Sequence, residues 1–145
     1  MTDAALLREK NYSHNVVYEF DRSKQIRTFI LESSHRALIF VCEDNLGSEE
    51  ALLDLSVLEK LLESSPVTYN PGGVVDALSL VAKGNIERVI LDESVFDRDV
   101  VYLQTVGRNA AIEIRPDDLR KILADLGFDS ESDKPKLITY DFGYA

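Results

Sequence analysis

The chain of 145 residues has no tryptophan, one cysteine, two histidines and one methionine. A lone Cys42 excludes an intrachain disulfide and points to a reducing compartment, the cytoplasm. His14 and His35 with one cysteine are too few nitrogen and sulfur donors for a structural zinc site. No apolar run approaches the roughly 20 residues that cross a bilayer, and no basic segment followed by an apolar core opens the chain. The phosphate-loop pattern G-x-x-x-x-G-K-[ST] and the nucleophile elbow G-x-S-x-G are both missing.

What is there is acid. Aspartate and glutamate number 26 against 16 lysines and arginines, a net charge of −10. The excess is lopsided. Through Arg36 there are six basic and five acidic side chains, and from Ala37 onward ten basic and 21 acidic. Between Arg36 and Lys60 six acids occur and no base. Such a field repels phosphate backbones and disfavours direct nucleic-acid binding, while it speeds encounter with a basic protein. Length and a 45% apolar fraction fit one globular domain, residues 1–145, with its own core.

Periodicity predicts an α+β fold. The expectation is a mostly antiparallel sheet of about five to seven strands built from hairpins, with about three helices packed on it. Thr2 or Asp3 caps a short helix through Lys10. Strands are expected over Asn15–Asp21, Gln25–Glu32 and Arg36–Cys42, the last two joined by Ser33-Ser34-His35. Ser48 caps a helix whose Leu52, Leu55, Leu58 and Leu62 share one face, ended by Pro66. A second helix runs from Val74 to Lys83, with Val74, Leu78, Val81 and Ala82 inward and Gly84 just past its end. Glu87–Asp92 reads as a strand, and Asp99–Val106 with Ala110–Ile114 as a second hairpin. Pro116 opens a helix striped by Leu119, Ile122, Leu123 and Leu126 and closed by Gly127. Lys136–Phe142 is a last strand.

The stretch Leu38-Ile39-Phe40-Val41 followed by Glu43-Asp44 resembles a Walker B strand, but no phosphate loop accompanies it. Glu43, Asp44, Asp92 and Glu93 converge if their two strands run parallel and adjacent, which gives an oxygen-ligand site for Mg²⁺ and a metal-dependent hydrolase. Asp99 with Glu113-Ile114-Arg115 resembles the Asp…Glu-x-Lys set of restriction-endonuclease-type nucleases. Arginine replaces its lysine and stays protonated.

The reading favoured by charge is a non-enzymatic binding protein without cofactor. In general character, though by no motif, it is similar to the immunity proteins that neutralise toxin nucleases. A basic protein partner then meets Glu43, Asp44, Glu49, Glu50, Asp92, Glu93, Asp97 and Asp99. The alternatives are the metal-dependent hydrolase and an adaptor subunit whose leucine-faced helices make a dimer contact.

Overall fold

The computed structural model describes residues 2–46, 53–105, 110–129 and 136–142. Four helices lie among them: α1 (Asp3–Glu9), α2 (Leu55–Leu62), α3 (Ala77–Ala82) and α4 (Pro116–Asp125). Eight strands form one mixed sheet: β1 (Asn15–Val17), β2 (Gln25–Glu32), β3 (Arg36–Cys42), β4 (Thr68–Tyr69), β5 (Arg88–Asp92), β6 (Val101–Gln104), β7 (Ala111–Ile114) and β8 (Leu137–Tyr140). Their order is β1-β7-β6-β2-β3-β5-β8, with β4 paired beside β2.

Both expected hairpins are present. β2 and β3 pair antiparallel from Ile26↔Cys42 to Glu32↔Arg36, and β6 pairs β7 from Val101↔Ile114 to Gln104↔Ala111. The sheet is also more parallel than expected, since β3–β5, β5–β8 and β2–β6 all run parallel. Parallel neighbours need long crossovers. The segment carrying α2, β4 and α3 carries the chain from β3 to β5, and β6, β7 and α4 carry it from β5 to β8.

Alternation along the strands divides the core in two. Ile26, Leu38, Phe40, Val89, Leu91, Leu103, Ile112 and Ile114 face one side, together with Leu6 and Leu7 of α1, Leu78 and Val81 of α3 and Leu119, Ile122 and Leu123 of α4. Phe29, Leu31, Ile39, Val41 and Ile90 face the other, under Leu58 and Leu62 of α2. The two apolar faces explain why β3 and β5 read as nearly continuous hydrophobic runs.

Several boundaries differ from expectation. Asp54 caps α2 through Ser56 N, so the helix starts at Leu55, and Leu55 in its first turn is exposed. Ser48 and Leu52 lie outside the described residues. β1 ends at Val17, well short of Asp21. α3 begins at Ala77, and Ala82 is exposed. The α1 and α4 expectations match closely: Thr2 Oγ1 accepts from Ala5 N, Pro116 opens α4, and Phe128 is buried behind Gly127.

Candidate functional site

Among the described residues, α2 covers only part of the width of its side of the sheet. Where α2 stops, the same face continues as Gln25 and Arg27 on β2, Tyr102 and Gln104 on β6, and Ala111 and Glu113 on β7. Their registers, Gln25↔Tyr102, Tyr102↔Glu113 and Gln104↔Ala111, place them side by side. A recess of about 130 Å³ opens here, lined by Phe20, Arg22, Gln25, Gln104, Thr105 and Ala111. The Phe20 ring lies 5.1 Å from that of Tyr102, and the Arg22 guanidinium stacks 5.4 Å from Phe20. Asn15 Nδ2 donates to Glu113 Oε1 at the far edge (3.4 Å).

Arg27 lies two residues along this face from Gln25, at the border of the dry core. Its guanidinium is 5.3 Å from the centroid of Phe29, within cation–π range. Glu43 Oε2 is 3.7 Å from Arg27 Nη1, an ion pair without close hydrogen-bond geometry. Arg27 Nε and Glu43 Oε2 are both buried, and neither has a hydrogen-bond partner among the described residues. A buried polar atom left so is uncommon and costs about 1–3 kcal/mol.

The wall beside Arg27 is Gly73. Its φ of +71° suits glycine, and a Cβ there would sit 2.9 Å from Thr28 O and 3.7 Å from Arg27 Nη2. Thr28 O accepts from Val74 N (2.9 Å) and Thr28 Oγ1 donates to Val74 O (2.6 Å), so the loop is tied across the edge of β2. Gly73 thus serves as a close approach of the backbone to β2.

The acidic residues singled out in the sequence take separate roles. β3 and β5 are parallel neighbours, the condition for Glu43, Asp44, Asp92 and Glu93 to converge. Yet Asp92 is fully buried, and its carboxylate is consumed inside the fold. It accepts from Cys42 N (3.1 Å), Asn45 Nδ2 (2.7 Å) and Ser94 N (3.0 Å). Asp92 is therefore unavailable to a partner's surface, which corrects its place in the expected patch. Asp44 is held bidentately by Arg98 Nη2 (2.6 and 2.7 Å), while Arg98 Nη1 donates to Ser23 O. Glu93, Asp97 and Asp99 are exposed. Glu49 and Glu50 lie outside the described residues.

Among the described residues no group of three or more His, Cys, Asp or Glu is placed to hold a metal ion. The nuclease-like set has other partners: Arg115 Nε donates to Asp118 (3.1 Å), and Glu113 accepts from Asn15. Cys42 is buried, and that burial, reinforced by the Asp92 charge, pushes its thiol up to about 12, so it is inert at neutral pH. No helix among the described residues is long and apolar enough to cross a membrane.

No protein-family model and no curated protein matches the chain. Solved structures do match in fold. The hypothetical protein APE2540 aligns over 94% of this chain and 95% of its own, with TM-score 0.60 and 12% identity. A protein of Marinobacter aquaeolei VT8 assigned to signal transduction aligns over 97% of this chain, with TM-score 0.63 and 13% identity; the chain spans 30% of that protein. A protein assigned as a trans-editing enzyme for prolyl tRNA synthetase aligns over 97% of this chain and 78% of its own, with TM-score 0.50 and 14% identity. At these identities the likeness is one of fold.

Proposed function

We propose that the polar part of the sheet bordered by Arg27 binds the aminoacyl group of a small ester or of an acylated tRNA end, as an editing site does. The observation that carries this is the Arg27–Glu43 pair. A guanidinium Nε and a carboxylate oxygen, both buried and both without a hydrogen-bond partner among the described residues, belong to an ion pair at the border of the polar part of the sheet. An aminoacyl ester supplies both complements. Its carbonyl oxygen accepts from Arg27, and its ammonium donates to Glu43. Shared architecture with a trans-editing enzyme supports the same reading. Synthetases turn to a second, hydrolytic site when binding alone cannot separate similar amino acids.

Arginine at this position fits electrostatic catalysis. Water adds to the ester carbonyl and the developing oxyanion lies beside the guanidinium. The C–O bond then breaks and the freed alcohol takes the proton. Arg27 cannot itself move protons, because guanidinium stays charged. A chain with net charge −10 disfavours long contact with a phosphate backbone, so recognition is confined to the acylated end.

The test is an NMR titration with amino-acid ethyl esters and non-hydrolysable aminoacyl analogues, followed by deacylation assays on misacylated tRNAs. Shifts should cluster at residues 25, 27, 73, 102, 104 and 113. Arg27→Ala should weaken binding at least about tenfold, the scale of one lost charge-assisted hydrogen bond. Shifts elsewhere, or none, would refute the assignment.

A second reading keeps the non-enzymatic binding protein with a basic partner, such as a toxin nuclease. It rests on Glu93, Asp97 and Asp99, which are exposed and carry no ion pair among the described residues. It predicts salt-sensitive capture of one basic protein from the native host. Reversing these three to lysine should abolish that capture.

A further inference from the structure

We infer that a second recess, on the sheet face opposite Arg27, binds a small carboxylic acid with an apolar tail. Its volume is about 420 Å³, larger than the recess beside Phe20 and within the range of small-molecule sites. Strand register sets its floor. The cross-strand pairs Ile30↔Leu38 and Glu32↔Arg36 are two residues apart and so share one face. Leu38 belongs to the core cluster of α1, α3 and α4, which puts Ile30, Glu32 and Arg36 on that side. Thr68 joins them as the partner of Glu32 from β4. Ile30 and Val74 are partly buried and pack against the same core.

The recess exists because the chain meets β2 twice and leaves it in between. β4 pairs with Leu31 and Glu32. The chain then turns through residues 70–73, where Gly73 N donates to Asn70 O (3.1 Å), and returns at Thr28, whose carbonyl accepts from Val74 N (2.9 Å). Thr28 Oγ1 donates to Val74 O as well (2.6 Å). Both attachments run through backbone groups, so the space between them is preformed.

Hydrogen-bond donors line its rim. Arg36 Nε donates to Glu32 Oε1 (3.1 Å), and neither Arg36 Nη group has a hydrogen-bond partner among the described residues. Asn70 Oδ1 accepts from Gly72 N (2.9 Å), which settles the orientation of the amide and leaves its NH2 to donate. Ile30, Val74 and the alkyl stem of Arg36 supply the apolar wall. A guanidinium end and an amide NH2 above an apolar floor match one carboxylate with a hydrocarbon tail. A doubly charged phosphate fits worse, because Glu32 stands at the rim and the net charge is −10. An ammonium has only Glu32 for a partner, and Arg36 already holds that carboxylate. The site shares no side chain with the aminoacyl surface proposed above, so its test is independent of that reading.

NMR titration of the full chain at pH 7 with hexanoate, hexylamine and hexanol tests this. Hexanoate should give saturable amide shifts at Ile30, Arg36, Thr68, Asn70 and Val74. Hexylamine and hexanol should bind there at least about tenfold more weakly, the scale of one lost charge-assisted hydrogen bond. Arg36→Met keeps the apolar stem and should weaken hexanoate by a similar factor. Asn70→Asp keeps the acceptor for Gly72 N but removes the donor, and should weaken hexanoate too. Glu32→Gln releases Arg36 and removes a repelling charge, so it should tighten hexanoate by up to about fivefold. A purely structural Glu32–Arg36 pair does not produce that gain. Absence of saturable hexanoate shifts at these residues would overturn the proposal. So would equal binding of hexylamine or hexanol, unchanged affinity in folded Arg36→Met, or weaker binding by Glu32→Gln.

Discussion

One face of the sheet carries two surfaces that differ in almost every physical respect. Under α2, Phe29, Leu31, Ile39, Val41 and Ile90 are packed dry, with Tyr69 meeting Phe29 edge to face at 5.5 Å. Beside them, where β2 pairs β6 and β6 pairs β7, Gln25, Arg27, Tyr102, Gln104 and Glu113 form a polar floor that α2 does not reach. β2 runs through both halves, so its own backbone geometry does not separate them. Side-chain chemistry and the reach of α2 do. A fold that leaves a guanidinium and a carboxylate incompletely satisfied at that border has given up stability there, a frequent mark of a binding surface.

Breaking the dry half should cost most. Phe29→Ala removes a fully buried ring and is expected to lower unfolding free energy by about 3–5 kcal/mol in denaturant titration. Asp92→Ala comes next. It strands the Cys42 amide and Asn45, an expected loss of about 2–3 kcal/mol by the same titration, whereas Asp92→Asn should recover part of it. The double substitution Arg27→Met, Glu43→Leu sharpens the contrast, because it exchanges a poorly satisfied ion pair for apolar side chains and strands neither charge. It should leave stability within about 1 kcal/mol of wild type, or raise it, while abolishing ligand binding. Were Arg27 part of the structural core, this substitution would instead unfold the protein at lower denaturant.

Much of the architecture was readable in the residues. The β2–β3 hairpin follows from two β-rich runs around Ser33-Ser34-His35, and α4 from Pro116, its leucine and isoleucine stripe and Gly127. α2 was misplaced because two N-terminal signals compete, Ser48 followed by glutamates and Asp54 followed by Ser56. β4 has only two residues and carries no pattern of its own. The parallel pairings depend on long crossovers that no local pattern encodes.

The site was harder to read. Arg27 stands as a lone charge within an apolar strand, and Glu43 is 16 positions away, joined to it only through the register Arg27↔Val41. The double glycine at 72–73 was the one local sign of a close backbone approach. Its partner, Thr28, appears only in three dimensions. The acidic run after β3 was visible, but its dispersal was not. Asp44 meets Arg98, 54 positions on, and Asp92 turns inward to Cys42 and Asn45.

The most direct test is calorimetric titration of wild type and the Arg27→Met, Glu43→Leu double variant with one non-hydrolysable aminoacyl analogue, alongside their unfolding free energies. Binding is expected for the wild type, with a loss of at least about tenfold in the variant and equal or greater stability of the variant. Equal affinity in both proteins, or no binding in either, would contradict that expectation.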